Sequence, residues 1–359
     1  VRDPSIYYHR VGDTQADDRL VFHNDDDPEP SYAAGVTEDD RYLILVEYLG
    51  TDRRNGLLYL DLEAHGPTIT SDADLGAPVP TEAWVRLVDQ GQAMHDVVHH
   101  DSADGDGAGA GAGADTASRF LVHTDRDAPN GRLMSIDLAS PGVEDWTTVV
   151  AEGPDPLEWV AALDGELVTC HLVEASNHLT RWSVEGIERG AIDLPGLGTV
   201  TGLSGRFEQP EIYLGYQSFV EPPAVLRRRA DQMEVWASAD PPVDPASVVV
   251  ERRRAVSSDG AEVGMFVIRL ADTELPGPVE LYGYGGFSIN LTPTYSPARL
   301  AFLEAGGIVV VANLRGGTEQ GETWHQQGML ANKQQVFDDL IACARQLVED
   351  GLATPATIG

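Results

Sequence analysis

The chain has 359 residues, and its 58 acids against 24 bases give a formal net charge of −34. That balance excludes nucleic acid as a partner, because phosphate contacts need a basic face. No apolar run approaches the roughly twenty residues of a membrane span, and the length suggests two or three domains.

From Val1 to about Pro245 short β-rich runs dominate, with turn clusters between them. Tyr42–Tyr48, Leu57–Leu62, Phe120–Thr124, Leu133–Leu138, Leu167–Leu172, Leu179–Val184, Ile212–Phe219 and Ala224–Arg228 read as strands, and no convincing amphipathic helix interrupts them. The pattern suits a sandwich, barrel or propeller. A weak repeat favours the propeller. A polar turn followed by a strand recurs at Tyr7-Tyr8-His9, Leu58-Tyr59-Leu60, Met134-Ser135-Ile136, Thr180-Arg181-Trp182 and Leu226-Arg227-Arg228. Most of these steps fit the roughly 40–50 residues of a propeller blade, and the longest contains an insert. That insert, Asp104 to Asp115, alternates glycine and alanine between aspartates and reads as a flexible surface loop. Its acids would suit calcium, but the ordered ligand spacing of a calcium motif is missing. His95 and His99 lie too far apart along a strand to share one ion, so with His100 they read as partly exposed strand histidines, and no metal is expected. Trp84, Trp146, Trp159 and Trp182 read as blade core or packing between blades.

After the proline cluster Pro241–Pro245 the character changes. Val248–Ala255 and Val263–Leu270 flank Asp259-Gly260, a hairpin signal. Val279–Tyr282 and Ile308–Ala312 read as buried strands. Between them Ser296-Pro297 opens a helix that Gly306 closes. A second helix, from about Gln334 to Asp350, carries Val336, Phe337, Leu340, Ile341, Ala344, Leu347 and Val348 as one apolar stripe. Alternating strands and helices predict an α/β domain with a largely parallel sheet. The domains are therefore placed at 1–245 and 246–359. Cys170 and Cys343 fall in different domains, inside apolar runs, and read as buried thiols of a reducing compartment.

The stretch Leu281-Tyr-Gly-Tyr-Gly-Gly-Phe287 is a strand running into a loop whose backbone must turn sharply or approach another group closely. Tyr284 places one hydroxyl donor on that loop, which suits stabilising a developing oxyanion. Further on come Leu314-Arg315-Gly316-Gly317, Gly321-Glu322-Thr323-Trp324-His325 and Leu330-Ala331-Asn332-Lys333-Gln334. Together these blocks resemble the catalytic domain of the prolyl oligopeptidase family of serine peptidases. Leu157-Glu158-Trp159-Val160 and Ser5-Ile6-Tyr7-Tyr8-His9 resemble the same family, so the likeness covers nearly the whole chain.

The resemblance implies a seven-bladed β-propeller, of which about five blade-like units are read here, followed by the first part of an α/β-hydrolase domain. It implies a propeller that admits only short, proline-containing peptides, and serine-type cleavage on the carboxyl side of proline without a cofactor. It carries Tyr284 over as the oxyanion donor, and Phe287 and Ile289 as lining of the proline pocket. Core packing is the other reading of Phe287. Arg315, Trp324 and His325 are assigned structural roles. The family's serine lies in the next strand, and no Gly-x-Ser-x-Gly elbow occurs in this sequence. The expectation is a fragment that lacks its triad, is inactive alone and needs the rest of the peptidase domain. A non-catalytic peptide-binding propeller and half of a split peptidase are the alternatives.

The acids are dispersed, and Lys333 is the only lysine beside many arginines. This resembles proteins of halophilic archaea, whose surfaces work where molar salt shortens the Debye length to about 3 Å. An acidic surface recruiting a basic partner is the alternative. With no signal peptide at its start, the chain is expected to be cytoplasmic.

Overall fold

The structure, a computed structural model, describes residues 4–24, 27, 29–70, 79–102 and 118–359. The alternating glycine and alanine insert lies outside the described residues. The chain divides into two compact units. The first is 1–128 with 132–151, and the second is 129–131 with 152–359.

In the first unit, β1 (Ser5–Tyr8) pairs with β2 (Arg19–His23). Two four-stranded antiparallel sheets follow, each in sequential order. One holds β3 (Ser31–Val36), β4 (Tyr42–Tyr48), β5 (Gly56–Asp61) and β6 (Val85–Val88). The other holds β7 (His95–Asp101), β8 (Arg119–Thr124), β9 (Arg132–Asp137) and β10 (Thr147–Val150). The inner strands β5 and β8 each bury five of six residues, so they read as nearly continuous runs. Tyr42, Ile44, Leu57 and Tyr59 of one sheet form a common core with Phe120, Val122 and Ile136 of the next.

Two expectations fail in this unit. A helix does occur, α1 (Leu62–Thr70), started where the Asp61 carboxylate accepts the Glu63 N–H at 2.8 Å. His95 and His100 are buried rather than partly exposed. His100 is held between the Asp39 carboxylate at 2.6 Å and the Ser118 hydroxyl at 2.7 Å, and its ring packs edge-on to Tyr42 and Phe120. Burial pushes the His95 pKa down to about 4, which keeps it neutral.

The second unit opens with two more sequential antiparallel sheets. These are β11 (Leu157–Leu163) to β14 (Glu188–Ile192), through β12 (Glu166–Val173) and β13 (Ser176–Trp182), and β15 (Thr199–Ser204) to β18 (Gln232–Ser238), through β16 (Ile212–Gln217) and β17 (Ala224–Arg229). The recurring sequence unit falls on the third strand of each of these four antiparallel sheets: Tyr59 in β5, Ser135 in β9, Arg181 in β13 and Arg227 in β17. Tyr8 lies in β1, so β1 and β2 correspond to the last two strands of such a sheet. These sheets are propeller blades.

The last sheet runs in the order β19 (Val248–Val256), β20 (Glu262–Leu270), β22 (Ile308–Ala312), β21 (Val279–Gly283). The first two strands turn at Ser257–Ala261 through Gly260, whose φ of +91° only glycine takes without strain. β21 and β22 are parallel, joined by α2 (Pro297–Glu304). The Ser296 hydroxyl caps α2 by accepting the Arg299 N–H, and Pro297 stands at its first position. Leu300 and Leu303 of α2 cover one sheet face with Phe266, Ile268, Val309 and Val311. α4 (Gln334–Glu349) covers the other, where Cys343 and Leu347 meet Met265, Val267, Val310 and Ala312. Each leucine so buried contributes about 1.5–3 kcal/mol. Phe337 and Ile341 do not join this face and stay exposed. Residues 357–359 hydrogen-bond alongside β21, with Ile358 bridged in parallel to Val279. This is the beginning of an α/β-hydrolase domain. Both cysteines are buried and unpaired, and burial pushes the Cys343 thiol up to about 12. Among the described residues no helix is long and apolar enough to cross a membrane.

Candidate active site

Two loops leave the carboxyl ends of the parallel strands β21 and β22, the place where open α/β sheets bind ligands. The first carries Tyr284, Phe287 and Ile289. The second runs from Leu314 through Arg315 into α3 (Glu322–Gln326). They fit together because their glycines have no side chains. A Cβ on Gly285 would collide with Val336 and lie 3.0 Å from the Arg315 carbonyl, and one on Gly316 would sit 2.6 Å from the Gly285 carbonyl. Both residues also have positive φ, +60° and +99°. The Ser288 N–H donates to the Gly316 carbonyl at 3.0 Å.

Tyr284, Phe287 and Ile289 are 44%, 72% and 47% exposed, so these apolar side chains form a ridge facing solvent rather than a core. Phe287 does not pack inside. The Ile289 N–H closes a turn on the Gly286 carbonyl at 3.0 Å, and the two central residues, Phe287 and Ser288, have φ of +53° and +56°. That is a left-handed turn without glycine, at a cost of about 1–2 kcal/mol per residue. Strain kept in an exposed aromatic turn points to use of that turn.

The second loop is fixed from within. Arg315 is buried, and its guanidinium bonds the Asp339 carboxylate at 2.5 and 2.9 Å, Asp259 at 2.5 and 3.2 Å, Gln335 at 2.8 Å and Ser257 at 3.2 Å. Trp324 lies beneath it, and His325 Nδ1–H donates to the Gly316 carbonyl at 2.7 Å. These three residues shape the loop, as their sequence block implied. Hydrogen bonds from Arg315 hold the Asp259 carboxyl below the usual carboxylate range.

Beyond Ile289 the chain is tied to the β11–β14 and β15–β18 blades. Glu158 accepts from Asn177 Nδ2 at 2.6 Å and from Asn290 Nδ2 at 2.9 Å. Asn290 Oδ1 accepts the Thr318 N–H at 2.7 Å, Thr199 donates to the Pro293 carbonyl at 2.8 Å, and the Tyr295 N–H reaches Gln217 at 3.3 Å. A recess of about 560 Å³ lies between the β12–β13 hairpin tip and β19–β20, but it includes none of Tyr284, Phe287 and Ile289. Its Arg252 and Arg254 are paired with Glu174.

Glu319 was not foreseen from the sequence. It is 5% exposed, its Oε1 accepts the Leu291 N–H at 2.9 Å, and among the described residues its Oε2 has no hydrogen-bond partner. Burial, with a smaller contribution from the Glu158 charge, pushes its pKa up to about 7. The folded chain therefore keeps the proton where the unfolded chain, titrating near 4.5, has lost it. Stability contributed below pH 4.5 is lost as pH rises to about 7 and stays lost above. Glu319→Gln is expected to match the parent at pH 4 in urea melts and to exceed it by up to about 3 kcal/mol at pH 8. Equal stabilities at pH 8 would refute the assignment.

Comparison with known proteins was made on this frame. The profile of "Prolyl oligopeptidase, N-terminal beta-propeller domain" matches residues 2–237, and that of "Prolyl oligopeptidase family" matches 293–359. A prolyl endopeptidase of Elizabethkingia miricola is 30% identical over 352 residues, covering 96% of this chain and 45% of its own length. Prolyl oligopeptidase A of Amanita bisporigera is 29% identical over 365 residues, 98% of this chain and 44% of its own. A solved structure from a study of two prolyl endopeptidases superposes with a TM-score of 0.83 at 29% identity, over 99% of this chain and 48% of that one. Prolyl oligopeptidase B of Galerina marginata, bound to a 35-residue substrate, gives 0.86 at 24% identity over 99% and 48%, a likeness of fold. The chain thus spans about half the length of the relatives it matches.

Proposed function

Because the chain belongs to the prolyl oligopeptidase family, we propose that it is the propeller and the opening of the peptidase domain of a serine peptidase that cleaves short peptides after proline. The observation that carries this reading is the exposed ridge Tyr284–Phe287–Ile289, held on interlocked glycine loops at the carboxyl end of two parallel strands. Tyr284 is the oxyanion donor. Phe287 and Ile289 form one wall of the pocket for a prolyl ring, which brings no N–H to be satisfied. The domain boundary is placed at the proline cluster Pro241–Pro245. The nucleophile and its partners belong to the part of the relatives that this chain does not span. The dispersed acid suits a salt-rich cytoplasm, where the surface charge is screened.

The reading is tested with a proline-linked chromogenic peptide. The 359-residue chain is expected to release no chromophore. The full-length protein from its native source is expected to release it after proline and to lose that activity to a serine-directed inhibitor. Turnover by the 359-residue chain, or cleavage by the full-length protein without preference for proline, overturns the proposal.

A further inference from the structure

Lysine is nearly absent from this chain. Of its 24 basic residues, Lys333 alone is lysine. It stands immediately before α4, a 16-residue helix whose N-terminal end is an unfavourable place for a cation. A lone lysine kept at an unfavourable position needs a local reason, and the geometry supplies one.

The Lys333 ammonium donates to the Gly285 carbonyl, one residue beyond Tyr284. A Cβ on Gly286 would lie 3.4 Å from the same nitrogen, so the ammonium rests against Gly286 as well as on the Gly285 carbonyl. Gly285 cannot turn its carbonyl elsewhere without disturbing its fit against Val336 and Arg315. A compact, tetrahedral ammonium on a flexible stem can meet a single carbonyl in this space. The broad planar fork of arginine is built for paired acceptors.

We propose that Lys333 is a positioning residue for the Tyr284 loop, acting through the Gly285 carbonyl, and that its amine is the point at which acylation frees the loop. The role assigned to the loop rests on the proposed peptidase reading; the holding contact does not. In the acylation the deprotonated Nζ attacks the carbonyl of an activated acyl ester. The N–C bond forms, the C–O bond to the leaving group breaks, and the amine proton passes to solvent. The resulting amide is uncharged and bulkier at the nitrogen, and it no longer makes the charge-assisted bond by which the ammonium holds the Gly285 carbonyl.

The folded 359-residue chain is treated with N-hydroxysuccinimidyl acetate, which reaches Lys333 and the terminal amine. A Lys333→Arg variant treated alike reports the terminal amine alone. Backbone hydrogen exchange of residues 284–289 is expected to quicken at least tenfold in the parent only, while Val309–Ala312 of β22 keep their rates. Unchanged exchange in 284–289, or an equal rise in β22, overturns the proposal. Lys333→Cys separates charge from bulk. Alkylation with bromoethylamine restores an ammonium and is expected to return slow exchange, whereas iodoacetamide is not. Restoration by both reagents also overturns it. None of these rates is read through turnover, so failure of the oxyanion assignment would leave them unmoved.

Discussion

Arg315→Met is expected to lower stability by about 3–5 kcal/mol, the largest loss of any single change considered for this chain. The cost does not come from the arginine itself. Asp339 is fully buried in α4, and its carboxylate accepts three hydrogen bonds from Arg315, one from the backbone and two from the guanidinium. Without the guanidinium that buried charge loses its counter-ion. Ser257 and Gln335 lose a donor in the same step. An Arg315→Met, Asp339→Leu double variant removes both charges and is expected to regain most of the loss, because a buried ion pair repays little more than its own desolvation. Urea melts at fixed molar salt, followed by tryptophan fluorescence, measure both. A loss below about 1 kcal/mol for the single change, or an undiminished loss in the double, would show that the cluster does not hold the loop.

This cluster also marks where sequence reading stopped. The stripe of α4 was legible, since Val336 and Leu347 recur at helical spacing. Asp339 falls on the same stripe between Val336 and Cys343, and an acid there is the one signal that could have announced a buried partner. That the partner is Arg315, 24 residues earlier, follows only from the sheet bringing β22 beside α4. Gly285 was legible as a sharp turn or a close approach, because glycine is what a missing Cβ looks like in sequence, whereas the approach of Gly316 to it was seen only in the fold. Continuous apolar runs gave the buried strands, and the third-strand repeat gave the blades. Three features left no such mark: α1, whose nine residues Leu62–Thr70 carry a glycine and a proline; the burial of His95 and His100, set by neighbouring strands and partners; and Glu319, enclosed by Leu291 and Asn313. The left-handed turn at Phe287-Ser288 was equally hidden, because nothing in those two residue types favours it.

In the full-length peptidase proposed above, Tyr284→Phe is expected to lower kcat by about 10²–10³ while leaving KM close to its parent value. The substitution removes one oxygen from a side chain that is 44% exposed and whose hydroxyl makes no hydrogen bond among the described residues, so the fold has little reason to respond. Its loop is set by Gly285, Gly316 and Lys333 rather than by the hydroxyl. In its proposed role the hydroxyl acts only when a carbonyl oxygen becomes an oxyanion, because charge that appears in the transition state is met by a donor already in place. A loss confined to kcat is the mark of such an interaction, whereas a rise in KM alone would place Tyr284 in ground-state binding. Phe287→Ala supplies the contrast. Phe287 is proposed to touch the prolyl ring in both states, so its loss should raise KM for proline substrates and leave kcat less affected. If Tyr284→Phe keeps full kcat, the oxyanion donor is another group and the ridge serves binding alone.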